Sequence, residues 1–186
     1  MLLYREGKVK KVMSLDVSST STGWSFLTEA DNLLKYGTIQ PGKKLSISEK
    51  LNYFRNELIK ILKKYKPTYV VIEDTFLSKN PKVVKILAKF GGVAEQTVYE
   101  YTKKEPYIMS NTTPKSFFKV RRKEQLFIVM LNLLFLEESS YPFNKWNDIM
   151  DSIAQLLCYC DEILNINKIR RNKDYGYYYD FGGYLS

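Results

Sequence analysis

Apolar and polar positions along the chain switch between two periods, and the switches mark out its elements. Residues 10–17, 23–28 and 33–40 are short runs of strand-forming residues. They read as three strands, with Thr-Gly at 22–23 and Glu-Ala-Asp-Asn at 29–32 as the turns between them. Over 46–65 the period lengthens: Leu51, Phe54, Leu58 and Leu62 fall on one helical face. Ser46 or Ser48 marks the start of that helix, and Pro67 lies beyond its end. "TYVVIED" (68–74) is too short for a helix and rich in β-branched residues, so it reads as a central strand. A helix over 80–90 follows, with Asn80 as its cap and Pro81 in its first position. Gly91-Gly92 breaks or kinks that helix, and 93–102 resumes it. "PYIMS" (106–110) is a fifth strand, 111–123 a basic segment, and 124–136 an apolar helix. "SSYPFN" is a loop, 146–164 the last helix, and 165–186 a tail rich in Tyr, Lys and Arg.

Three hairpin strands followed by strand–helix alternation predict a mixed α/β fold with helices on the faces of one five-stranded sheet. That order is the ribonuclease H-like arrangement. No internal repeat is seen. Residues 1–164 are expected to form one such domain, and 165–186 a basic, Tyr-rich appendage.

Two carboxylates stand out against this pattern. Asp16 closes the first strand and Glu73 closes the fourth, each after an apolar run where a lone buried charge would be costly. In a ribonuclease H-like sheet those strands are neighbours, so both side chains would meet at one edge. Asp148 and Asp151, three apart in "WNDIMDSIAQLLCYC", share one face of the last helix, with Gln155 in line. Ile149, Ile153, Leu156, Cys160 and Ile163 mark the adjoining face that would pack on the sheet. Singly, Glu73 at the end of an apolar strand is hard to explain plainly, but the others are not. Asp16 suits a turn, and an Asp pair suits a helix N-terminus. Together, four carboxylates at one sheet edge describe a cage for Mg²⁺ or Mn²⁺. Two such ions ~3.5–4 Å apart clamp a phosphodiester for in-line attack by water. Asp74 should point to the opposite face from Glu73.

Composition narrows the chemistry. Of 186 residues none is His, which removes His-based triads and imidazole zinc sites. Cys158 and Cys160, two apart on a helix, point away from each other and read as small core residues. The net charge of +9 suggests an acidic partner, most often nucleic acid. Only six of the 29 basic residues are Arg, which suits phosphate contacts better than base reading. The charge gathers between Lys103 and Lys123, where Lys103, Lys104, Lys115, Lys119, Arg121, Arg122 and Lys123 face Glu105 alone. Phe117 and Phe118 within it suit either base stacking or core packing. In the tail, Lys168, Arg170, Arg171 and Lys173 accompany Tyr175 and Tyr177 to Tyr179. These suit either DNA contact or a packed terminus. The N-terminal segment has no signal-peptide core, and the most apolar run, 126–136, is far shorter than the roughly 20 residues of a membrane span. A cytoplasmic protein is expected, in host cytoplasm if the source is viral.

At the level of motifs the chain resembles the RuvC family of Holliday junction resolvases, from about Met13 to Tyr159. "LDVSSTSTGWS" is similar to the family's first motif, and "NDIMDSIAQLLCY" to its closing helix. "VVIEDTFLSKNPKVVKILAKFGGVA" resembles the second: a strand-ending Glu, an aromatic three residues on, a Lys-Asn pair and a Leu-rich helix. The resemblance implies metal-dependent incision of four-way DNA junctions by paired nicks leaving 5′-phosphates. It assigns catalysis and metal binding to Asp16, Glu73, Asp148 and Asp151, with two Mg²⁺ or Mn²⁺ per site. It makes Phe76 the aromatic that reaches junction bases, places Lys79 beside it, and sets Lys115 and Lys123 near the family's active-site lysines. It also implies a homodimer paired through the helix at 80–90. Val17-Ser18 stand where bacterial members usually have Pro-Gly, and Asp74 where they have Gln. This divergence and the Lys-rich composition suit a phage member. Two other readings compete. One is a non-catalytic module binding branched DNA. The other is an actin-like or sugar-kinase domain, which shares the opening D-x-x-x-T-x-T-G but needs a second domain and a second phosphate loop.

Overall fold

A computed structural model describes residues 9–29, 34–74, 80–166, 169–172 and 176–179. Strands β1 (Lys11–Asp16), β2 (Thr22–Thr28), β3 (Lys35–Ile39), β4 (Tyr69–Glu73) and β5 (Tyr107–Met109) form one sheet in the order β3-β2-β1-β4-β5. β2 runs antiparallel to β1 and β3, whereas β4 runs parallel to β1 and β5. The mixed sheet expected from the element order is therefore present, with β1 and β4 side by side at its centre.

Period-2 alternation sends the two sets of strand side chains to opposite faces. Met13, Leu15, Phe26, Val70 and Ile72 meet α1 (Ile47–Tyr65) and α2 (Pro81–Thr102) through Phe54, Leu58, Leu62, Phe90, Ala94 and Val98. Val12, Leu27, Val71 and Met109 meet α4 (Lys123–Leu133) and α5 (Phe143–Glu162) on the other side. Phe118, after the short α3 (Thr113–Phe117), is buried there and Phe117 packs against the same cluster. Both aromatics of the basic segment thus belong to the core. Cys158 and Cys160 are buried and not joined in a disulfide, and burial pushes the Cys158 thiol up to about 12.

Helix starts follow their caps. Ser46 rather than Ser48 opens α1, with a reciprocal pair: Glu49 N–H donates to Ser46 Oγ at 3.3 Å and Ser46 N–H to Glu49 Oε2 at 2.8 Å. Asn80 Oδ1 accepts from Lys82 N–H at 3.0 Å and Pro81 takes the first position of α2.

Three expectations fail, each for a physical reason. Gly91-Gly92 does not break the helix: α2 is continuous from Pro81 to Thr102. Two glycines cost roughly 1 kcal/mol each relative to Ala, and burial of Phe90, Gly91, Ala94, Thr97 and Val98 outweighs that. Thr22-Gly23 is not a turn but the start of β2, with Gly23 paired to Asp16. The turn is 17–21, closed by its own hydroxyls. Ser18 Oγ accepts from Ser21 N–H at 3.1 Å, and Thr22 Oγ1 donates to Ser18 O at 3.1 Å. Last, α5 begins at Phe143, three residues earlier than the loop signal suggested. Asp148 and Asp151 therefore lie beyond its first turn, outside the reach of the helix dipole.

The turn expected at 29–32 falls largely outside the described residues. The tail holds a small antiparallel pair, β6 (Ile169–Asn172) and β7 (Gly176–Tyr179), with Arg170 opposite Tyr178 and Arg171 opposite Tyr177 in register. Its backbone lies against α4. Among the described residues no helix is long and apolar enough to cross a membrane.

Candidate active site

The parallel register of β1 and β4 pairs Leu15 with Ile72, so the next residues, Asp16 and Glu73, end adjacent strands at one edge. Their carboxyl groups lie close enough for one, when protonated, to donate to the other. α5 crosses the same edge and brings Asp148 and Asp151. The approach is close because β2 offers Gly23: a Cβ there would collide with the Asp148 carbonyl oxygen and stand 2.9 Å from Ile149 N. The glycine of the first motif is thus needed for contact between backbones rather than for a turn. All four predicted carboxylates come together.

A lysine holds them in balance. Lys123, the first residue of α4, places Nζ 2.5 Å from Asp151 Oδ2 and 3.8 Å from Asp148 Oδ1. Burial would lower its pKa, but Asp151, Asp16 and Asp148 reverse that and raise it. One ammonium does not neutralise the site. Burial, then repulsion from Glu73, Asp151 and Asp148, holds the Asp16 carboxyl well above the usual carboxylate range. Burial and Asp151 lift Glu73 to about 7 against the pull of Lys123 and Lys115. Asp151 is raised chiefly by burial, with Lys123 opposing.

Among the described residues no three acidic or thiol side chains are already gathered around a common point. Asp16 and Glu73 turn to each other, and Lys123 draws Asp151 to itself. The donor set nevertheless fits a hard divalent cation: it is all oxygen, and it carries more negative charge than its lysines offset.

A cleft of about 340 Å³ opens beside these groups, lined by Glu73, Asn111, Pro114, Lys115, Lys123, Leu126 and Asp151. Asn111 was not anticipated from sequence. The available signal was its place just beyond β5, at the edge where the carboxylate-bearing strands end. Lys115, on α3, lines the cleft, so both lysines of the first expectation face the carboxylates. Lys119, Arg121 and Arg122 are exposed on the turn from α3 to α4, next to Lys123 in the chain. Phe76 and Lys79 lie outside the described residues, as do Lys168, Lys173 and Tyr175 of the tail. Asp74 is exposed, and its N–H bonds to Met109 O at 2.8 Å.

A mixed five-stranded sheet with acidic side chains from β1, β4 and a C-terminal helix at one edge defines a ribonuclease H-like, metal-dependent nuclease class. Within it, residues 12–159 match the family described as crossover junction endodeoxyribonuclease RuvC, and the chain belongs to that family. The chain is 30% identical over 162 residues to the RuvC of Ehrlichia ruminantium (strain Welgevonden), covering 80% of this chain and 94% of that one. To the RuvC of Fusobacterium nucleatum it is 28% identical over 175 residues, covering 89% and 85%. The fold is similar to that of T. thermophilus RuvC in complex with a Holliday junction substrate, with TM-score 0.67, 15% identity, and 81% and 92% of the chains covered. It is also similar to the yeast mitochondrial Holliday junction resolvase Ydc2, with TM-score 0.56, 14% identity, and 81% and 77% covered.

Proposed function

We propose that this chain resolves four-way DNA junctions by paired, symmetric, metal-dependent nicks that leave 5′-phosphates. The observation that carries the reading is the meeting of Asp16, Glu73, Asp148 and Asp151 at one sheet edge, around Lys123, in a member of this family. The four carboxylates would hold two Mg²⁺ or Mn²⁺ ions. When bound, such ions clamp the scissile phosphate and stabilise charge on the leaving 3′ oxygen. Water attacks phosphorus, the P–O3′ bond breaks, and the phosphate stays on the 5′ end. No protein base is required, which accords with a chain lacking His.

Lys123 and Lys115 flank the carboxylates on the cleft side, where they offset charge and can meet non-bridging phosphate oxygens. Lys119, Arg121 and Arg122 extend that basic edge along the approach of the strand. Phe76 and Lys79, on the segment that leaves Glu73, are the candidate contacts to junction bases. The β6–β7 hairpin, with Arg170 and Arg171 on one strand, is a candidate further DNA-contacting appendage. Phosphate-dominated binding should weaken steeply with salt.

Two sites on a two-fold junction call for two copies of the chain. The pairing element is the first half of α2. The groove beside it, about 330 Å³ between α1 and α2, is lined by Leu51, Ala88, Gly92 and Val93 among others. A synthetic four-way junction, incubated with the protein with and without Mg²⁺, tests the reading. Symmetric, Mg²⁺-dependent nicks with 5′-phosphates are expected. Junction binding without nicks would make the chain a branched-DNA-binding module instead.

A further inference from the structure

Ser14 and Gln155 are polar side chains sealed between the sheet and α5, Ser14 at 0% and Gln155 at 2% exposure. The Gln155 carboxamide reaches three groups. Its nitrogen donates to Ser14 Oγ at 2.5 Å and to Leu15 O at 3.3 Å, and its oxygen accepts from Glu73 N–H at 2.9 Å. In the reverse orientation Ser14 Oγ donates to the amide oxygen at the same 2.5 Å. That would set the amide nitrogen against the Glu73 N–H, donor to donor, so the first orientation is the satisfied one.

The partners are telling. Ser14 and Leu15 are the two residues before Asp16 on β1. Glu73 N–H belongs to the other strand-end carboxylate. Asp74 N–H bonds across to β5, so the Glu73 N–H turns the other way, towards β1, where the paired register has already ended at Leu15–Ile72. The Gln155 oxygen takes the place of the missing ladder acceptor. Gln155 itself stands four residues after Asp151 and seven after Asp148, on their side of α5. A buried amide is costly without such bonds, and Leu or Met would fill the space as well.

We propose that Gln155 is a positioning residue: with Ser14 as its anchor, it fixes the strand-end pair Asp16 and Glu73 against the helical pair Asp148 and Asp151. The claim rests on the nuclease reading above, so its test needs a readout that does not depend on cleavage. The variants are Gln155→Met, Ser14→Ala and the double change, in the full-length chain. They are read by Mn²⁺ affinity from the electron paramagnetic resonance of free Mn²⁺, by junction cleavage kinetics and by thermal unfolding. Gln155→Met should weaken Mn²⁺ binding and lower kcat by about 10–100-fold, as losing an outer-shell partner does, with KM for the junction unchanged. Ser14→Ala should cost less, because two of the three bonds persist. The double variant should regain part of the unfolding temperature lost by Gln155→Met, since its Ser14 hydroxyl is no longer orphaned. It should not regain Mn²⁺ affinity or kcat, because the Glu73 N–H still lacks its acceptor. Unchanged Mn²⁺ affinity in Gln155→Met overturns the proposal. So does an affinity that recovers in the double variant in step with its stability. A wild-type chain that binds Mn²⁺ but cuts no junction overturns the nuclease reading, and the Mn²⁺ shift still decides the role of Gln155.

Discussion

The two faces of the central sheet are built to different rules. Towards α1 and α2, β1, β2 and β4 present Met13, Leu15, Phe26, Val70 and Ile72 to an apolar cluster, and the buried hydroxyl of α2, Thr97, bonds only within its own helix, to Val93 O. Towards α5 the same strands interleave hydroxyls with hydrophobes. Ser14 bonds Gln155, Ser25 Oγ donates to Ser152 O at 2.9 Å, and the row ends in Asp16 and Glu73. A purely apolar interface resists unfolding but tolerates sliding, because burial is non-directional. Hydrogen bonds set a register. The face that carries the carboxylates adds directional bonds to an apolar cluster of its own, and those bonds fix where α5 lies.

The largest separation of these roles should come from Glu73→Gln set beside Phe54→Ala. Glu73→Gln should lower single-turnover cleavage of a four-way junction by more than the ~10–100-fold typical of an outer-shell loss, with junction affinity in a gel-shift assay retained. Undiminished cleavage would remove Glu73 from the site. Phe54, fully buried between α1 and the sheet, should cost about 3–5 kcal/mol on truncation to Ala. Cleavage per folded molecule should be unchanged below the variant's melting range. If Phe54→Ala instead loses cleavage while still folded, the division between the faces fails.

Gly23→Ala sharpens the point with a smaller change. The added methyl meets the α5 backbone at Asp148 and Ile149, which cannot rotate away. A loss of about 1–3 kcal/mol is expected from overpacking, together with reduced cleavage, because the displaced helix carries Asp148 and Asp151. Gly37→Ala is the control. There the new Cβ would stand 2.8 Å from Trp24 Cζ2, a side-chain ring on the α1 face that can yield. Its unfolding temperature should fall less than that of Gly23→Ala, with cleavage kept.

Sequence pattern made one of these faces easier to read than the other. The α1 face follows from periodicity alone, since Leu58 and Leu62 repeat with the helix and Leu15 and Ile72 alternate with the strands. The carboxylates were legible because a charge that closes an apolar run is locally anomalous, twice over at Asp16 and Glu73. What the pattern could not convey depends on partners distant in sequence. Thr22-Gly23 has the chemistry of a turn, and only the approach of α5, more than 120 residues on, shows why the glycine is there. Gly91-Gly92 reads as a break until the packing of α2 is known. Ser14 and Gln155 look like imperfections in apolar stretches until each is seen to satisfy the other.

The faces should also differ in pH response. Asp16, Glu73 and Asp151 all titrate above their unfolded values, Glu73 at about 7. The native state therefore holds protons that the unfolded chain has released. Stability is full below the ordinary carboxylate range and lost as pH rises through the raised values. In chelator, the unfolding temperature should fall from about pH 5 to about pH 8. Glu73→Gln should flatten the slope, and Mg²⁺ should restore stability at the upper end by binding the native state. A slope of the opposite sign would mean that the carboxylates are already well compensated by Lys123 and Lys115. Phe54→Ala, on the face opposite these carboxylates, should shift the curve without changing its shape.

The smallest effect is expected at Gly92, the counterpart of Gly23 on the apolar side. It lies mid-helix and exposed, and a Cβ built on it meets nothing within 4 Å. Gly92→Ala should stabilise α2 by up to about 1 kcal/mol, because Ala loses less backbone entropy in a helix interior. For a chain of this length that is roughly 2–4 °C in unfolding temperature. The position has a second use, because Gly92 lines the groove between α1 and α2 that adjoins the pairing element proposed above. If two copies close over that groove, the added methyl meets the partner. Self-association measured by sedimentation should then weaken while the monomer gains stability. A rise in unfolding temperature with unchanged association confines pairing to the first turns of α2. A rise with weakened association extends the paired surface to the middle of the helix.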